Sequence, residues 1–565
     1  MSDQPTVDGG LDEPEDLEPA QGTLALAAPE DRHTRADWER AAAGVLRKAR
    51  RLGEDEPDDL VWERLAGDSL DGLVVTPLGT PDLLDDLVTR GRPTGAGGWD
   101  VRTRPADNEQ ALADLDTGAT SLWVEASADL PVLLDGVLLD LAPVVLEGAT
   151  PEAARELAGL LGDTDPADGT NLGADAAGDH VVEVARIAQD AGVLAAVVDG
   201  TTAHDRGASD VQELGHALAT AAAYLRTLVA AGFSVEEAAG LVEFRFAATA
   251  AQFPTIAKLR AARRLWARML ELSGAGEVPM RIHAVTSRPM MSRYDPWVNM
   301  LRTTVAAFAA GVGGADSVTV LPFDSPLGEP DAFGRRIARN TSHLLLSESH
   351  LGRVADPAGG SYAVEKLTDD LAVAAWEELG LVEAEGHDAF WGRVADTVAA
   401  RDEAVATRRL PITGLTEFPH LDEVLPERPG DGDDVRRWGA AFEELRDDPA
   451  LTPVFLATMG PVAAHTARAG FAANLLAAGG VAVVPAGPTD GVESVLAAYD
   501  GQPVVCLAGT DPAYDEWGAD LVTALRDAGA RHVVVAGKAD VGADDRCFAG
   551  VDALAFLRRT REELA

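Results

Sequence analysis

The feature that most restricts how this chain can fold is a rhythm: between about residues 70 and 400, short apolar runs alternate with longer amphipathic segments. The runs are "WDVRTRP" (99–105), "SLWVEA" (121–126), "PVVLEG" (143–148), "LAAVVDG" (194–200), "FRFAATA" (244–250), "MRIHAVTS" (280–287), "SVTVLPF" (317–323) and "HLLLSES" (343–349). Between them lie segments such as "DHVVEVARIAQDAG" and "TIAKLRAARRLWARMLEL", with apolar residues at helical spacing. Parallel strands need long, usually helical, crossovers, and eight such units leave no free strand edge if the sheet closes. The expectation is a TIM (β/α)8 barrel over 70–400.

A second alternation begins after residue 450. "PVFLATM", "VAVVPAG", "PVVCLAG", "HVVVAGK" and "ALAFL" read as five strands separated by helices such as "WGADLVTALRDAG", so residues 451–565 are expected to form a small doubly wound, flavodoxin-like α/β domain. The stretch 401–450 loses the rhythm and contains "LPERPGDGDD"; it reads as a linker with one short helix, "DVRRWGAAFEEL". At the other end, residues 1–33 are rich in Asp, Glu, Pro and Gly and read as an acidic disordered tail. "TRADWERAAAGVLRKARR" opens an N-terminal helical arm over 34–69, with Trp38, Ala42, Val45, Leu46 and Ala49 on one face. Such a helix needs an apolar surface, on the barrel or on a partner.

Charge excludes some partners. With 47 Lys and Arg against 93 Asp and Glu, the net charge is −46, which repels phosphate backbones and argues against nucleic acid. No run approaches the ~18 uninterrupted apolar residues of a membrane span, and the N-terminus is acidic where a signal peptide is basic and then apolar. A cytoplasmic protein without membrane contact is expected. The only cysteines, Cys506 and Cys547, form no C-x-x-C pair, which excludes a disulfide framework or thiolate zinc site and points to buried thiols.

One loop invites a ligand. "MGPVAAHTARAG" (459–470) runs from the end of a strand into a helix and carries His465, a first candidate for a metal ligand. Further motifs decide what kind of protein this is. "AKLRAARRLWARML" (257–270), "MRIHAVTS" (280–287), "RRIARNTSHLLLSE" (335–348) and "DPAGGSYAVEKLT" (356–368), in this order and spacing, resemble the barrel domain of the acyl-CoA mutases that use adenosylcobalamin, above all methylmalonyl-CoA mutase. The resemblance is strong over about 244–380 and looser elsewhere. It implies a barrel that holds CoA along its axis and shields radicals from water. It also implies a smaller domain whose loop histidine meets cobalt, with an Asp orienting that histidine and a glycine admitting the corrin.

Set against that pattern, this sequence departs from it residue by residue. The Asp-x-His-x-x-Gly positions after Gly460 fall on Val462, Ala464 and Ala467. His465 is one residue late, and shifting it into register places Ala463 and Arg468 where the Asp and Gly belong. A ligating imidazole needs an acceptor on its second nitrogen, which alanine does not supply. Gly509 and Gly537 follow strands but read as turn glycines, and Arg558 and Arg559 in "FLRRTREEL" crowd the place of a Gly-containing turn. In the barrel, Arg104 stands for a family Tyr, Thr201-Thr202 for a Tyr-His pair and Val285 for a Gln. His204 and His283 are candidate substitute acids, though satisfied polar residues of the barrel mouth explain them better. Arg281 either binds an anion such as a CoA phosphate or pairs with an acidic side chain. In "RNTSHLLLSE", Ile337, Leu344, Leu345 and Leu346 read as core positions, with Asn340 and Thr341 satisfying backbone groups.

The resemblance therefore narrows to the smaller chain of heterodimeric mutases. It implies no catalytic, cofactor-binding or metal residues here, adenosylcobalamin in the partner, and a larger catalytic chain as that partner. Two alternatives stay open: a catalytic chain of the isobutyryl-CoA mutase type with cobalamin on a separate protein, and an acyl-CoA-binding scaffold.

Overall fold

The computed structural model describes residues 32–89, 97–430, 432 and 435–565; the expected tail, apart from residues 32 and 33, lies outside them. Two compact units result: the residues up to Gly67 with Val74–Pro77, and all the rest. In the first unit, helix α1 (Arg35–Lys48) starts with a capping box between Thr34 and Asp37 and ends on Arg47 and Lys48, charges that suit the helix dipole. Its buried residues are Ala43 and Leu46, which pack with Leu52 and Val61 inside a ring formed by Trp38, Ala42, Leu60, Trp62 and Leu65. The face expected from the sequence is thus rotated: Val45 is 65% exposed and Ala49 is exposed as well. Residues 52–65 supply the apolar surface that α1 needs.

The second unit opens with the barrel. Its strands are β1 (Asp100–Thr103), β2 (Ser121–Glu125), β3 (Val144–Glu147), β4 (Asn171–Asp175), β5 (Leu194–Asp199), β6 (Val242–Ala248), β7 (Arg281–Thr286) and β8 (Ser317–Thr319). All pair in parallel, and β8 closes on β1 with Ser317 opposite Asp100. The helices that matter below are α2 (Asp210–Ala230), α3 (Gln252–Leu272), α4 (Pro296–Val312), α5 (Ala332–His343), α6 (Tyr362–Glu385) and α7 (His387–Ala406). Strand β6, "VEFRFAA", is buried at every position. Phe244 meets Trp266 of α3 at 5.0 Å, whereas Glu243 and Arg245 bond to residues of other strands, so the alternation separates an apolar outer layer from a polar interior.

Seven of the eight sequence-predicted strands are present; the eighth is not "HLLLSES". That stretch continues α5 as a wider turn over Leu344–Glu348, because three leucines, not branched at Cβ, extend a helix more readily than they form a strand. Leu345 is buried as expected, but Leu344 is 50% exposed. The missing strand is β4, "NLGAD", which has no β-branched or aromatic residue. Gly173 explains why it forms: its φ is +70°, and a Cβ there would stand 1.9 Å from the Leu146 carbonyl oxygen, so only glycine permits this approach of β4 to β3.

After α7, the 401–450 stretch is held at many points. Arg428 bonds Asp324 at 2.6 Å, the Trp438 amide donates to the Pro289 carbonyl at 2.8 Å, and Asp447 of helix α8 (Ala440–Asp447) accepts from the Tyr294 hydroxyl at 2.8 Å. Phe442, Ile412 and Leu415 share one apolar core with the last domain.

That domain is a five-stranded parallel sheet of β9 (Val454–Thr458), β10 (Val483–Pro485), β11 (Val504–Ala508), β12 (His532–Ala536) and β13 (Asp545–Cys547). The spatial order β10-β9-β11-β12-β13 is the flavodoxin-like 2-1-3-4-5 arrangement. Four strands match the sequence reading. The fifth, "DRC", does not; "ALAFL" instead begins the helix α10 (Ala553–Leu564), where the Asp552 side chain caps the Ala555 amide. Helix α9 (Val462–Ala478) follows β9.

Candidate functional site

Two places follow from this fold: the barrel axis and the carboxyl ends of the second sheet. Along the axis, side chains of non-neighbouring strands bond directly. Arg102 of β1 reaches Glu243 of β6 through two hydrogen bonds, of 2.7 and 3.2 Å, and both side chains are 0% exposed. Its Nε donates to Ser121 Oγ at 3.0 Å. Closer to the carboxyl mouth, Arg245 of β6 donates to Asp199 at 2.9 Å and stands 3.5 Å from Glu147 of β3. At the rim, Arg104 bonds Glu125 and, at 2.8 Å, Glu147. The guanidinium groups of Arg104 and Arg245 lie 4.8 and 4.1 Å from the Trp123 ring centre, within cation–π range. Ion pairs and an indole therefore occupy the barrel interior.

The histidines are held as neutral groups. Arg245 Nε donates to His283 Nδ1 at 3.2 Å, which leaves His283 Nε2 to donate to Thr319 Oγ1 at 2.8 Å. Burial, with Arg102 and Arg245 nearby, holds this imidazole well below its ordinary pKa. His204 bonds Ser287 Oγ at 2.7 Å, and burial followed by the charges of Lys258, Arg401 and Arg288 lowers it in the same way. A buried imidazole held neutral is a poor general acid. Thr201 is turned onto Asp199, Thr202 caps the Asp199 carbonyl at 2.9 Å, and Val285 is buried. At the opposite mouth, Arg281 is paired: Asp168 accepts from it at 3.0 Å and Glu243 lies 3.8 Å away.

Sequence reasoning missed the buried charges. Lys258 of α3 is 0% exposed and 2.7 Å from both Asp210 and Glu213; Glu213 also accepts from the Ala247 amide at 2.7 Å. Burial pushes Glu213 up to about 7, against the pull of Lys258. For Glu243 and Arg245 the available signal was charge at alternate positions of an otherwise apolar strand, "VEFRF"; Lys258 and Glu213 lie on helices and carried no such signal.

In the second sheet, the crevice between β9 and β11, where the strand order reverses, is filled by the chain itself. Met459 is fully buried, and a Cβ on Gly509 would stand 2.8 Å from its Cβ. The Tyr514 hydroxyl accepts from the Gly509 amide at 2.9 Å and donates to the Ala536 carbonyl at 2.8 Å. Arg468 donates to the Gly509 carbonyl at 2.8 Å and lies over the Tyr514 ring, with its guanidinium also beside Gly537. His465, in the first turn of α9, is 7% exposed, and its Nδ1 is 3.1 Å from the Gly460 carbonyl. No carboxylate side chain stands at Val462 or Ala463, and Met459, Arg468 and Tyr514 fill the crevice beside the loop, so this place does not fit a corrin. Arg558 and Arg559 face outward on α10, Arg559 pairing with Asp545 at 2.8 Å. Cys506 and Cys547 are buried; a hydrogen bond between the thiols, then burial, pushes Cys506 up.

A closed parallel barrel followed by a 2-1-3-4-5 sheet makes this a two-domain α/β protein, the architecture that the resemblance to the acyl-CoA mutases implies. A family profile described as methylmalonyl-CoA mutase matches residues 189–437. The chain is 46% identical to the methylmalonyl-CoA mutase small subunit of Streptomyces virginiae, over 96% of this chain and 98% of that one. It is 34% identical to the small subunit of Propionibacterium freudenreichii subsp. shermanii, over 97% of each. The match to the methylmalonyl-CoA mutase of Rhizobium meliloti, 39% identical, covers only 34% of this chain and 27% of that protein. The chain belongs to the methylmalonyl-CoA mutase small-subunit family.

Proposed function

We propose that this chain is the non-catalytic small subunit of a heterodimeric, adenosylcobalamin-dependent methylmalonyl-CoA mutase. The complex interconverts methylmalonyl-CoA and succinyl-CoA in the cytoplasm; the large chain carries cobalamin and the radical chemistry, and this chain stabilises it. The observation that carries the reading is the pair of filled sites. Arg102–Glu243 and Arg245–Glu147 span the barrel interior between non-neighbouring strands, and Met459, Arg468 and Tyr514 occupy the crevice of the second sheet. A thioester arm would have to displace buried, paired charges, at a cost of several kcal/mol for each group stripped of its partner. The same feature weighs against an acyl-CoA-binding scaffold, and the fused sheet β9–β13 weighs against a catalytic chain whose cobalamin sits on a separate protein.

The test is to express the cognate large chain alone and together with this one. Co-purification at one-to-one stoichiometry, with slower thermal loss of mutase activity in the pair, is the expected result. A large chain equally stable and active without this subunit overturns the stabilising role.

A further inference from the structure

We infer that the stretch 401–450 is a strap that locks the loops after β7 and β8 in place and so closes the carboxyl mouth of the barrel without help from a partner. Loops at that end of a barrel ordinarily lie on the surface and carry its mobility. The loop after β7, residues 287–295, is sunk instead: Ser287, Met291 and Ser292 are 2%, 1% and 1% exposed. Buried backbone and hydroxyl donors need acceptors, and the strap supplies them.

Three carboxylates of the strap take the loop residue by residue. Glu443 of α8, itself 2% exposed, accepts from the Arg293 amide at 2.9 Å and from the Ser292 hydroxyl at 3.4 Å, while Arg437 holds its other oxygen at 2.9 Å. Asp447, one turn further on, accepts from the Tyr294 hydroxyl at 2.8 Å and from Arg293 at 3.0 Å. Glu423 accepts from the Asp295 amide at 2.7 Å. Asp295 has a φ of +48°, in the left-handed region, and a Cβ on Gly414 of the strap would stand 2.5 Å from its Cβ. The strap thus holds a strained turn that relaxes once it is released. The same stretch grips the loop after β8, where Arg428 bonds buried Asp324 at 2.6 Å and Asp331 at 2.8 Å. Between these grips the Trp438 ring lies 6.2 Å from the ring of His204, which follows β5. Loss of one strap carboxylate leaves a buried donor unpaired, so the loop is held by bonds that are costly to break singly.

Hydrogen exchange read by mass spectrometry on the purified full-length chain tests the lock. In the wild type, peptides covering 287–295 should exchange as slowly as those of β6 and β7. Glu443→Ala should speed exchange in that loop at least tenfold while β2 and β3 keep the wild-type rate. Asp447→Asn keeps the side-chain shape and touches only the Tyr294 and Arg293 side chains; it should speed the same peptides about threefold at a melting temperature close to the wild type, so the test stands even where Glu443→Ala fails to fold. Fast exchange over 287–295 in the wild type overturns the lock, as does an unchanged rate there in both variants. A rise spread evenly over all barrel strands overturns it too, since the carboxylates then support the whole fold and close no mouth. The measurement needs no large chain, so each of these outcomes leaves the proposed heterodimer standing.

Discussion

Replacing Glu243 by Gln should reveal what the barrel axis contains. In the folded chain Glu243 and Arg102 are both 0% exposed, joined at 2.7 and 3.2 Å, with Arg281 3.8 Å from the same carboxylate. Two unit charges about 4 Å apart attract by about 4 kcal/mol at an effective dielectric constant of 20. Gln keeps the shape and one acceptor but leaves the Arg102 charge uncompensated in a dry interior, for which the measured range is about 3–5 kcal/mol. With a urea m-value of about 3 kcal/mol/M, the midpoint should fall by about 1 M or more. Trp123, on the strand next to Arg102, reports the transition by fluorescence. A second variant, Arg102→Met with Glu243→Leu, should recover most of the loss, because an apolar pair removes both desolvation costs. A loss below about 1 kcal/mol in Glu243→Gln would refute the reasoning, since only water in the axis would shield Arg102 so well.

Other expectations follow from single sites. His216 stacks on Phe390 at 4.9 Å, and burial pushes its imidazole down to about 4. The unfolded chain takes up a proton near pH 6.5 while the fold refuses it, so stability is complete above that pH and falls by up to about 3 kcal/mol as pH drops toward 4. His216→Phe should flatten that part of a pH–stability profile measured by chemical denaturation, and an unaltered profile would contradict it. Installing the ligand motif with Ala463→Asp and Arg468→Gly should still give no cobalamin binding, because Met459 and Tyr514 fill the crevice; a spectral shift on adding hydroxocobalamin would contradict this. Tyr514→Phe loses the hydroxyl that bonds Gly509 and Ala536 and should cost about 1–3 kcal/mol in thermal or urea unfolding.

The architecture was readable because strand runs such as "LAAVVDG" and "HVVVAGK" carry β-branched residues between amphipathic helices. The misreadings occur where composition misleads. "NLGAD" is a strand through its glycine contact with Leu146, "HLLLSES" and "ALAFL" are apolar but helical, and "DRC" pairs with β12 despite two charges. At the sites, the departures at Arg104, Thr201, Thr202, Val285 and the His465 loop were visible as residue types. What fills the space was not. That Arg102 meets Glu243 across 141 positions, or that Arg468 closes on Gly509, depends on closure of the barrel and on the crossover to β11, which no local pattern encodes.

Both filled sites of this chain should refuse the ligands of its family. The most direct test incubates the purified isolated chain with adenosylcobalamin and methylmalonyl-CoA, removes free ligand by gel filtration, and measures bound corrin and succinyl-CoA formed. Neither bound corrin nor product is expected, with both appearing once the large chain is added. Stoichiometric cobalamin or turnover by the isolated chain would contradict this expectation.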